Sequence, residues 1–310
     1  MADVHSATRP TALITGASSG IGFATARDLA LAGWEVACAS RPGGAGPEAV
    51  ERLRRDTGSE SLHFLPADLS RPQQAVALAT SFRERFTRLD ALVNNAGAYV
   101  ARRVVTRDGL ELTFALNHLG AFALTAELLP ELSDSGGRVV TVSSDAAKAA
   151  RLQLDDPNST KLYNGWLAYA WSKLCNQLFT GELARRSARL GIDAFAMHPG
   201  FVATSFGHTG GWSERAVRLG QKLFGRSPER AADTVVWLAS SSEPSGRNGA
   251  YFVDRRERPF AAKARDQRAQ QRLWELSEEL VSTALAGGAS SSSWGTPGVR
   301  RSSDRALAGP

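Results

Sequence analysis

Seven short runs of apolar residues recur along the chain, and amphipathic stretches of helical period separate most of them. The runs hold few polar residues that could face water, which is typical of strands buried on both faces. Alternation of this kind predicts an α/β fold, a single doubly wound parallel sheet with helices on both faces. The predicted strands span residues 11–15, 35–40, 62–65, 89–93, 138–143, 192–197 and 250–253.

Two polar stretches interrupt this alternation, at 145–165 after the fifth strand and at 201–227 after the sixth. Loops of this length in a compact domain are typically lids or binding loops. We expect both to border a ligand site, because ligands of such sheets bind beyond the carboxyl ends of the strands. The predicted helices span 21–32, 48–56, 72–86, 110–132, 167–189 and 228–239, with a short one at 213–224 inside the second loop.

Length and composition are compatible with one large domain. Of the 310 residues 43% are hydrophobic, so the chain can bury an extensive core. We predict a domain over 10–286, a flexible N-terminus over 1–9 and a disordered tail rich in Ser, Gly and Arg over 287–310. The two cysteines form no C-x-x-C arrangement, which excludes a cysteine zinc cage and predicts no metal site.

Charge and hydropathy restrict the expected partners. The net charge is +6, and no run of five or more basic residues occurs, so a solvated surface is favoured over a nucleic-acid interface. The first ten residues do not resemble a signal peptide, and no apolar stretch is long enough to span a membrane. We expect a cytoplasmic protein without nucleic-acid or membrane partners. The arginine-rich, lysine-poor and alanine-rich composition favours a bacterial source.

A glycine-rich turn follows the first predicted strand and opens the first predicted helix. Glycines let the backbone turn tightly and approach a pyrophosphate, while the helix N-terminus offers free N–H groups. This context favours a nucleotide site, although a tight turn also needs glycine for steric reasons alone. The spacing is G-x-x-x-G-x-G, and the turn contains Gly16, Ser18, Ser19, Gly20, Ile21 and Gly22.

The second predicted strand leads into Arg41, and no acidic residue follows before Glu48. A carboxylate at this position would bind the ribose 2′-hydroxyl of NAD, whereas an arginine accommodates the 2′-phosphate of NADP. Arg41 therefore favours NADP(H) over NAD(H). The alternative is that Arg41 is one more solvated surface arginine.

Tyr169 and Lys173 are four residues apart on a predicted helix, so their side chains share one face. A tyrosine has an ordinary pKa near 10, which suits proton transfer at neutral pH poorly. A neighbouring ammonium group favours the phenolate and lowers that pKa. The pair is therefore a candidate acid–base unit, and the lysine has spare donors for ribose hydroxyls.

Five motifs in a fixed order resemble the short-chain dehydrogenase/reductase family, and the likeness covers roughly residues 10–285. It is closest to the retinol-dehydrogenase-like and WW-domain-oxidoreductase-like members, through L-N-H-L-G at 116–120, H-P-G at 198–200, Y-F-V-D at 251–254 and L-W-E-L-S at 273–277. The resemblance implies a Rossmann-type fold. The five motifs are T-G-x-x-x-G-x-G at 15–22, N-N-A-G at 94–97, the serine pair 143–144, Y-x-x-x-K at 169–173 and P-G at 199–200.

The resemblance also implies a role for each matching residue. Tyr169 corresponds to the general acid or base, and Lys173 to the residue that lowers its pKa and binds the nicotinamide ribose. Ser144 corresponds to the serine that polarises the carbonyl, with Ser143 as the less favoured choice, and Asn117 to the residue that holds a relay water. The implied cofactor-binding set is Gly16, Ser18, Ser19, Gly20, Ile21, Gly22, Arg41, Asp68, Leu69, Asn95, Ala96, Gly97, Tyr169, Lys173, Pro199, Gly200, Val202 and Thr204.

The implied activity is hydride transfer between NADP(H) and a hydrophobic ketone, aldehyde or secondary alcohol. Ser144 and Tyr169 are 25 residues apart, more than in the minimal family pattern, so 145–165 is expected to form part of the substrate rim. Trp166 and Trp171 beside Tyr169 are interpreted as core residues, although one of them could line the substrate pocket. Apolar residues of the later loop favour a hydrophobic substrate; they are Phe201, Phe206, Trp212 and Phe224.

Two alternatives stay open. One is a ketoreductase that tailors a polyketide or another secondary metabolite. The other is a non-catalytic NADP-binding regulator, which is disfavoured because the set Asn117, Ser144, Tyr169 and Lys173 is intact. The family also implies a homo-dimer or tetramer through two long central helices.

Overall fold

The computed structural model describes residues 9–200 and 227–287. Eight strands form one sheet in the order β3-β2-β1-β4-β5-β6-β7-β8, in which β1 to β7 run parallel and β8 pairs antiparallel to β7. The predicted α/β class is confirmed, with one strand more than expected. The strands are β1 Thr11–Thr15, β2 Glu35–Ser40, β3 Leu62–Pro66, β4 Ala91–Asn94, β5 Arg138–Val142, β6 Asp193–His198, β7 Tyr251–Val253 and β8 Arg256–Arg258.

Helices cover both faces of the sheet and produce two separate hydrophobic cores. The core on one face includes α1, α2 and α8, and the core on the other includes α3 to α7 and α9. This layering explains why the central strands are largely apolar, since neither of their side-chain faces meets water. The helices are α1 Gly20–Leu31, α2 Gly46–Thr57, α3 Pro72–Arg83, α4 Leu112–Phe114, α5 Gly120–Glu127, α6 Leu129–Ser135, α7 Gly165–Ser187, α8 Pro228–Ser240 and α9 Gln267–Gly287.

The single long helix predicted at 110–132 is wrong in its continuity. A π-helical segment, Ala115–Leu119, separates α4 from α5, and a break at Leu128 separates α5 from α6. Pro130 lies in the first turn of α6, where a proline is tolerated because its missing N–H has no helical partner there. The axes of the parts before and after Leu128, Leu112–Glu127 and Leu129–Ser135, differ in direction by 58°.

Two elements carry no signal that the sequence analysis recognised. Strand β8 consists of three exposed charged residues, so it lacks an apolar run. It follows β7 through Asp254 and Arg255, both with positive φ, as a two-residue hairpin turn requires. Helix α9 lies in a stretch for which no helix was predicted, and it buries Leu273 and Trp274.

Within the described ranges, no single helix has the length and hydropathy needed to cross a membrane. The bent pair made by Leu112–Glu127 and Leu129–Ser135 reaches those thresholds when its halves are taken together. Most of its apolar side chains, among them Phe114, Phe122 and Leu132, are buried in the domain.

Candidate active site at the carboxyl edge of the sheet

The glycine turn after β1 is packed against the end of β4. Gly16 has a φ of +68°, and a Cβ there would lie 2.9 Å from Nδ2 of Asn95. A Cβ on Gly22 would lie 2.4 Å from the carbonyl oxygen of Gly16. Asn95 Nδ2 donates to the Thr15 carbonyl at 2.8 Å. Both glycines are thus required by close backbone packing, whatever the turn binds.

The first turn of α1 leaves backbone donors for a ligand. Ser19 is the N-cap residue in an extended conformation, and no side chain caps the helix. Ser18 is half-buried and Ser19 is exposed, whereas Ile21 is buried and anchors the helix. Uncapped N–H groups at a helix N-terminus attract phosphate. The residues present therefore fit the pyrophosphate of a dinucleotide.

Arg41 and Asp68 both follow the carboxyl ends of their strands. Arg41 is exposed directly after β2, and in the described part of the chain its guanidinium makes no hydrogen bond or ion pair. Asp68 Oδ1 accepts hydrogen bonds from the Ser70 N–H at 3.1 Å and the Ser70 hydroxyl at 2.8 Å. Leu69 is buried, with its carbonyl against Gly120. Arg41 therefore remains available to an anion, while Asp68 already shapes its own turn.

Tyr169 lies in the first turns of α7 beside Ser144. The two side chains are hydrogen-bonded, and this bond lowers the pKa of Tyr169 against the larger effect of burial, which raises it to about 12. The rings of Tyr99 and Trp166 flank the phenol ring at centroid distances of 6.2 and 6.1 Å. The phenol accordingly keeps its proton at neutral pH.

Lys173 is only 4% exposed, one helical turn after Tyr169. Its Nζ donates to the Val142 carbonyl at 3.0 Å and lies 5.7 Å from the centroid of the Tyr169 ring. Burial lowers the pKa of Lys173 to about 8. Burial acts on both groups and disfavours the charged form of each, and the lowering of the Tyr169 pKa by Lys173 stays a prediction.

The two serines at the end of β5 point to different partners. The hydroxyl of Ser143 is buried and donates to the backbone carbonyl of Lys173 at 2.8 Å. Ser144 is half-buried, accepts from the Ala146 N–H at 3.2 Å and contacts Tyr169. Ser143 is thus held in a structural bond, and Ser144 is the one that the structure places at the phenol.

Asn117 lies in the π-helical segment and is fully buried. Its Oδ1 accepts from the Ala98 N–H at 2.7 Å, and its Nδ2 donates to the Ala98 carbonyl at 2.9 Å and to Ser172 at 3.0 Å. A Cβ on Gly97 would lie 3.1 Å from Asn117 Oδ1 and 3.5 Å from Lys173 Nζ. Gly97 is therefore the point where the N-A-G loop, Asn117 and Lys173 meet, and π-helical segments are frequent at such functional sites.

The N-N-A-G loop divides its side chains between core and site. The Asn94 amide donates to the Thr125 hydroxyl at 2.9 Å inside the core. The N–H groups of Asn95 and Ala96 both donate to the Thr15 hydroxyl at 3.0 Å, which ties the loop to the glycine turn. Pro199 and Gly200 are half-buried at the end of β6, and Gly200 has a φ of +78°.

Some predicted positions lie outside the described residues. They include the cofactor residues Val202 and Thr204, the short helix at 213–224, the loop 201–227 apart from its last residue, the terminal segments 1–8 and 288–310, and the apolar residues Phe201, Phe206, Trp212 and Phe224.

Sequence reasoning missed Tyr99 and chose no single role for Trp166. Trp171 is fully buried as interpreted, but Trp166 is half-exposed beside Tyr169. Tyr99 follows the N-A-G motif by two positions, and that spacing is the one signal that could have placed it at the carboxyl edge. His118 lies in the core with its Nε2 2.9 Å from the Ser277 hydroxyl, and burial lowers the pKa of His118 to about 3.

Comparison with known proteins gives consistent likenesses. A family model described as short chain dehydrogenase matches residues 10–211. The chain is 37% identical to human retinol dehydrogenase 14 over 288 residues, which covers 87% of this chain and 86% of that protein.

Solved structures agree with this likeness. An uncharacterised protein from Mycobacterium paratuberculosis superposes with a TM-score of 0.69 at 33% identity, covering 88% of this chain and 93% of the other. A short-chain dehydrogenase from Sphingobium yanoikuyae in complex with NADPH gives 0.58 at 26% identity, covering 73% and 82%.

Proposed function

The chain belongs to the short-chain dehydrogenase/reductase family and is an oxidoreductase of alcohol and carbonyl groups, and from this premise we propose its cofactor, substrate class and acid–base residues. The cofactor is NADP(H). The substrate is a hydrophobic ketone or aldehyde, or a secondary alcohol. Tyr169 exchanges the proton at the substrate oxygen.

The observation that carries the proposal is the convergence of four polar side chains at one edge of the sheet. Ser144 contacts the Tyr169 hydroxyl, and Asn117 and Lys173 both lie next to Gly97. The glycine turn and the helix N-terminus that fit a dinucleotide lie at the same edge. Proton donor, hydroxyl donor and cofactor cradle are therefore side by side.

The chemistry follows from the protonation states. The nicotinamide supplies or accepts the hydride when the cofactor is bound. With a pKa of about 12, the Tyr169 phenol is protonated at neutral pH and can donate its proton to a carbonyl oxygen. The Ser144 hydroxyl, bonded to the phenol, can donate to the same oxygen and orient it. The protonated phenol is the form that donates in carbonyl reduction, and the phenolate is the form that accepts in alcohol oxidation.

Two further observations support the choice of cofactor and substrate. The exposed guanidinium of Arg41 directly follows β2, the position at which an arginine would accommodate the 2′-phosphate of NADP, and the Sphingobium structure was solved with NADPH. The aromatic rings of Tyr99 and Trp166 flank Tyr169 and offer an apolar wall. The human relative is named for an apolar alcohol, retinol.

The test is NADPH oxidation with a panel of aryl ketones, aldehydes and quinones. We expect turnover with apolar carbonyls and a fall of roughly a thousandfold in kcat/KM for Tyr169→Phe, the scale of general acid catalysis. Tyr163→Phe is the matched control, because Tyr163 donates to the Val100 carbonyl at 2.7 Å outside the catalytic set. Full turnover in Tyr169→Phe would refute the mechanism, and tight NADPH binding without turnover on any carbonyl would indicate a regulator.

A further inference from the structure

The exposed large apolar side chains of the described residues are distributed unevenly. Six of the eight lie in two segments, residues 98–111 after β4 and residues 150–167, which comprise the loop after β5 and the first residues of α7. We call these six the apolar rim: Val104, Val105, Leu152, Leu162, Trp166 and Leu167. The most exposed is Leu162, at 82%, and Trp166 is 50% exposed. Such a concentration marks an interaction surface, since scattered single residues are the rule on ordinary surfaces.

Direct contacts join the two loops into one surface. The Tyr163 hydroxyl donates to the Val100 carbonyl at 2.7 Å, and Arg103 Nε donates to the Asn158 carbonyl at 3.1 Å. Gly165 packs so closely on the backbone of Ala101 that a Cβ would lie 2.8 Å from its Cα. The apolar side chains are therefore presented by a braced platform.

The apolar rim borders the proposed active site. Trp166 belongs to both, because its ring contacts that of Tyr169. The other two exposed leucines lie at the opposite edge of the sheet. Leu31 ends α1, which runs away from the carboxyl edge, and Leu190 lies three residues before β6 begins. Exposed apolar surface is thus concentrated where substrate must enter.

Exposed basic side chains lie in the same two segments as the apolar rim. The same segments hold four acids, of which Glu111 is buried, Asp108 and Asp156 are half-buried and Asp155 is exposed. Five cations against four acids give these segments a formal charge of +1, and among their exposed groups the cations outnumber the carboxylates five to one. Five exposed cations lie in them: Arg102, Arg103, Arg107, Arg151 and Lys161.

We propose that the apolar rim docks on the surface of an anionic lipid bilayer, so that the entrance beside Tyr169 opens onto the membrane. Apolar side chains with a tryptophan, accompanied by exposed cations, have the composition of interfacial anchors. The lipid phosphates attract the cations, and the apolar side chains enter the region between headgroups and acyl chains. The expectation of no membrane partner rested on the lack of a spanning stretch, which surface docking does not need.

The experiment is co-sedimentation of the full chain with vesicles of phosphatidylcholine and phosphatidylserine. We expect binding that weakens with added salt and is lost on pure phosphatidylcholine. The double variant Val104→Glu with Leu162→Glu should reduce the bound fraction at least tenfold, because two side chains that would enter the bilayer on binding become charged. Leu31→Glu is the matched control and should bind like the unmodified chain.

A second pair of variants tests the charges. Arg102→Gln with Arg151→Gln should weaken binding to anionic vesicles by roughly fivefold for each charge removed. Circular dichroism melting establishes that every variant is folded. No vesicle binding by the unmodified chain would overturn the proposal, as would an equal loss in Leu31→Glu, or light scattering that shows the glutamate variants abolishing self-association instead. Because binding is read without turnover, failure here is distinguishable from failure of the proposed reaction.

Discussion

At the scale of single residues, the site holds two ionisable groups that burial drives toward their neutral forms. Lys173 lowers the free energy of unfolding at neutral pH, because burial lowers its pKa from 10.5 to about 8 and its ammonium group is still charged there. The unfolded chain binds this proton more tightly. Charge at Lys173 therefore opposes folding below about pH 8, and the penalty disappears as pH rises toward 10.5.

Lys173→Met should consequently stabilise the fold while removing activity. We expect a gain of roughly 1–3 kcal/mol at pH 7 in urea unfolding, shrinking to near zero by about pH 10.5. The Val142 carbonyl keeps a partner, since Asn176 Nδ2 donates to it at 3.2 Å. Lys161→Met, at an exposed position, should show no such pH dependence. A variant destabilised at pH 7 would contradict the reasoning.

Arg41 determines the expected cofactor preference. Replacing it with aspartate removes a charge-assisted bond to the 2′-phosphate and adds repulsion, so the KM for NADPH should rise about 10- to 100-fold. The KM for NADH should change little. Arg189→Asp, at an exposed site before β6, serves as the control. Equal losses for both cofactors in steady-state kinetics would remove the assignment.

The Tyr169 and Lys173 pair and the glycine turn followed from spacing, and Ser144 and Asn117 from the family resemblance, but the surroundings of these residues followed from neither. The Y-x-x-x-K pair and the glycine turn are local patterns, and their neighbours in sequence remain neighbours in space. The direction of the pKa change at Tyr169 depends on burial by distant segments, which spacing does not encode. The separate partners of Ser143 and Ser144 likewise depend on α7 packing behind β5.

At the scale of elements, the helix that carries Asn117 is shaped by a glycine contact. Gly120 begins α5, and a Cβ there would lie 2.1 Å from the carbonyl oxygen of Leu69. The approach brings the turn after β3 against the π-helical segment. Alanine normally favours a helix over glycine, so steric exclusion and helix propensity act in opposite directions here.

Gly120→Ala should destabilise the protein because the clash is with backbone. We expect a loss of roughly 1–3 kcal/mol in the free energy of unfolding, as for other overpacked sites. Gly287→Ala is the control, since a Cβ at the end of α9 meets nothing within 4 Å. Chemical denaturation measures both variants. A Gly120→Ala protein as stable as the parent would show that the turn after β3 yields easily.

Most of the predicted strands and helices agree with the structure within two residues, but α3 ends three residues before its predicted end, and α9 was missed although its buried residues recur at helical spacing. The central strands are buried on both faces, so their continuous apolar runs are enough to predict them from the sequence. Strand β8 is stabilised by backbone pairing with β7, which any side chain permits. The break between α5 and α6 comes at Leu128, before Pro130. The apolar pattern continues across this break, so periodicity alone does not reveal it.

At the scale of the whole molecule, α9 lies across the C-terminal half of α7. Trp274 stacks on Phe179 at 5.9 Å between ring centroids and meets Phe122 edge-to-face at 4.9 Å. The guanidinium of Arg186 lies 4.6 Å above the Trp274 ring. Part of the helix surface that the family resemblance assigned to subunit contacts is therefore covered within the same chain.

We expect the full chain to be a monomer of 33.1 kDa by light scattering. Trp274→Ala should cost roughly 3–5 kcal/mol of unfolding free energy, the usual penalty for emptying a large aromatic site. It should also raise binding of an apolar dye. Trp166→Ala is the control, because half of that side chain is already exposed. A stable dimer of the unmodified chain in light scattering would contradict the expectation of a monomer.

The reversed direction of β8 has a consequence for the chain in crowded solution. A sheet that ended at β7 would present bare amide and carbonyl groups to any passing strand. Here the outermost strand carries Arg256, Glu257 and Arg258, all of them exposed. If a strand of a second copy paired with β8, three charged side chains would lose water in exchange for one row of backbone hydrogen bonds. The hairpin thus protects the edge of the sheet, and it disfavours the addition of further strands from other copies of the chain.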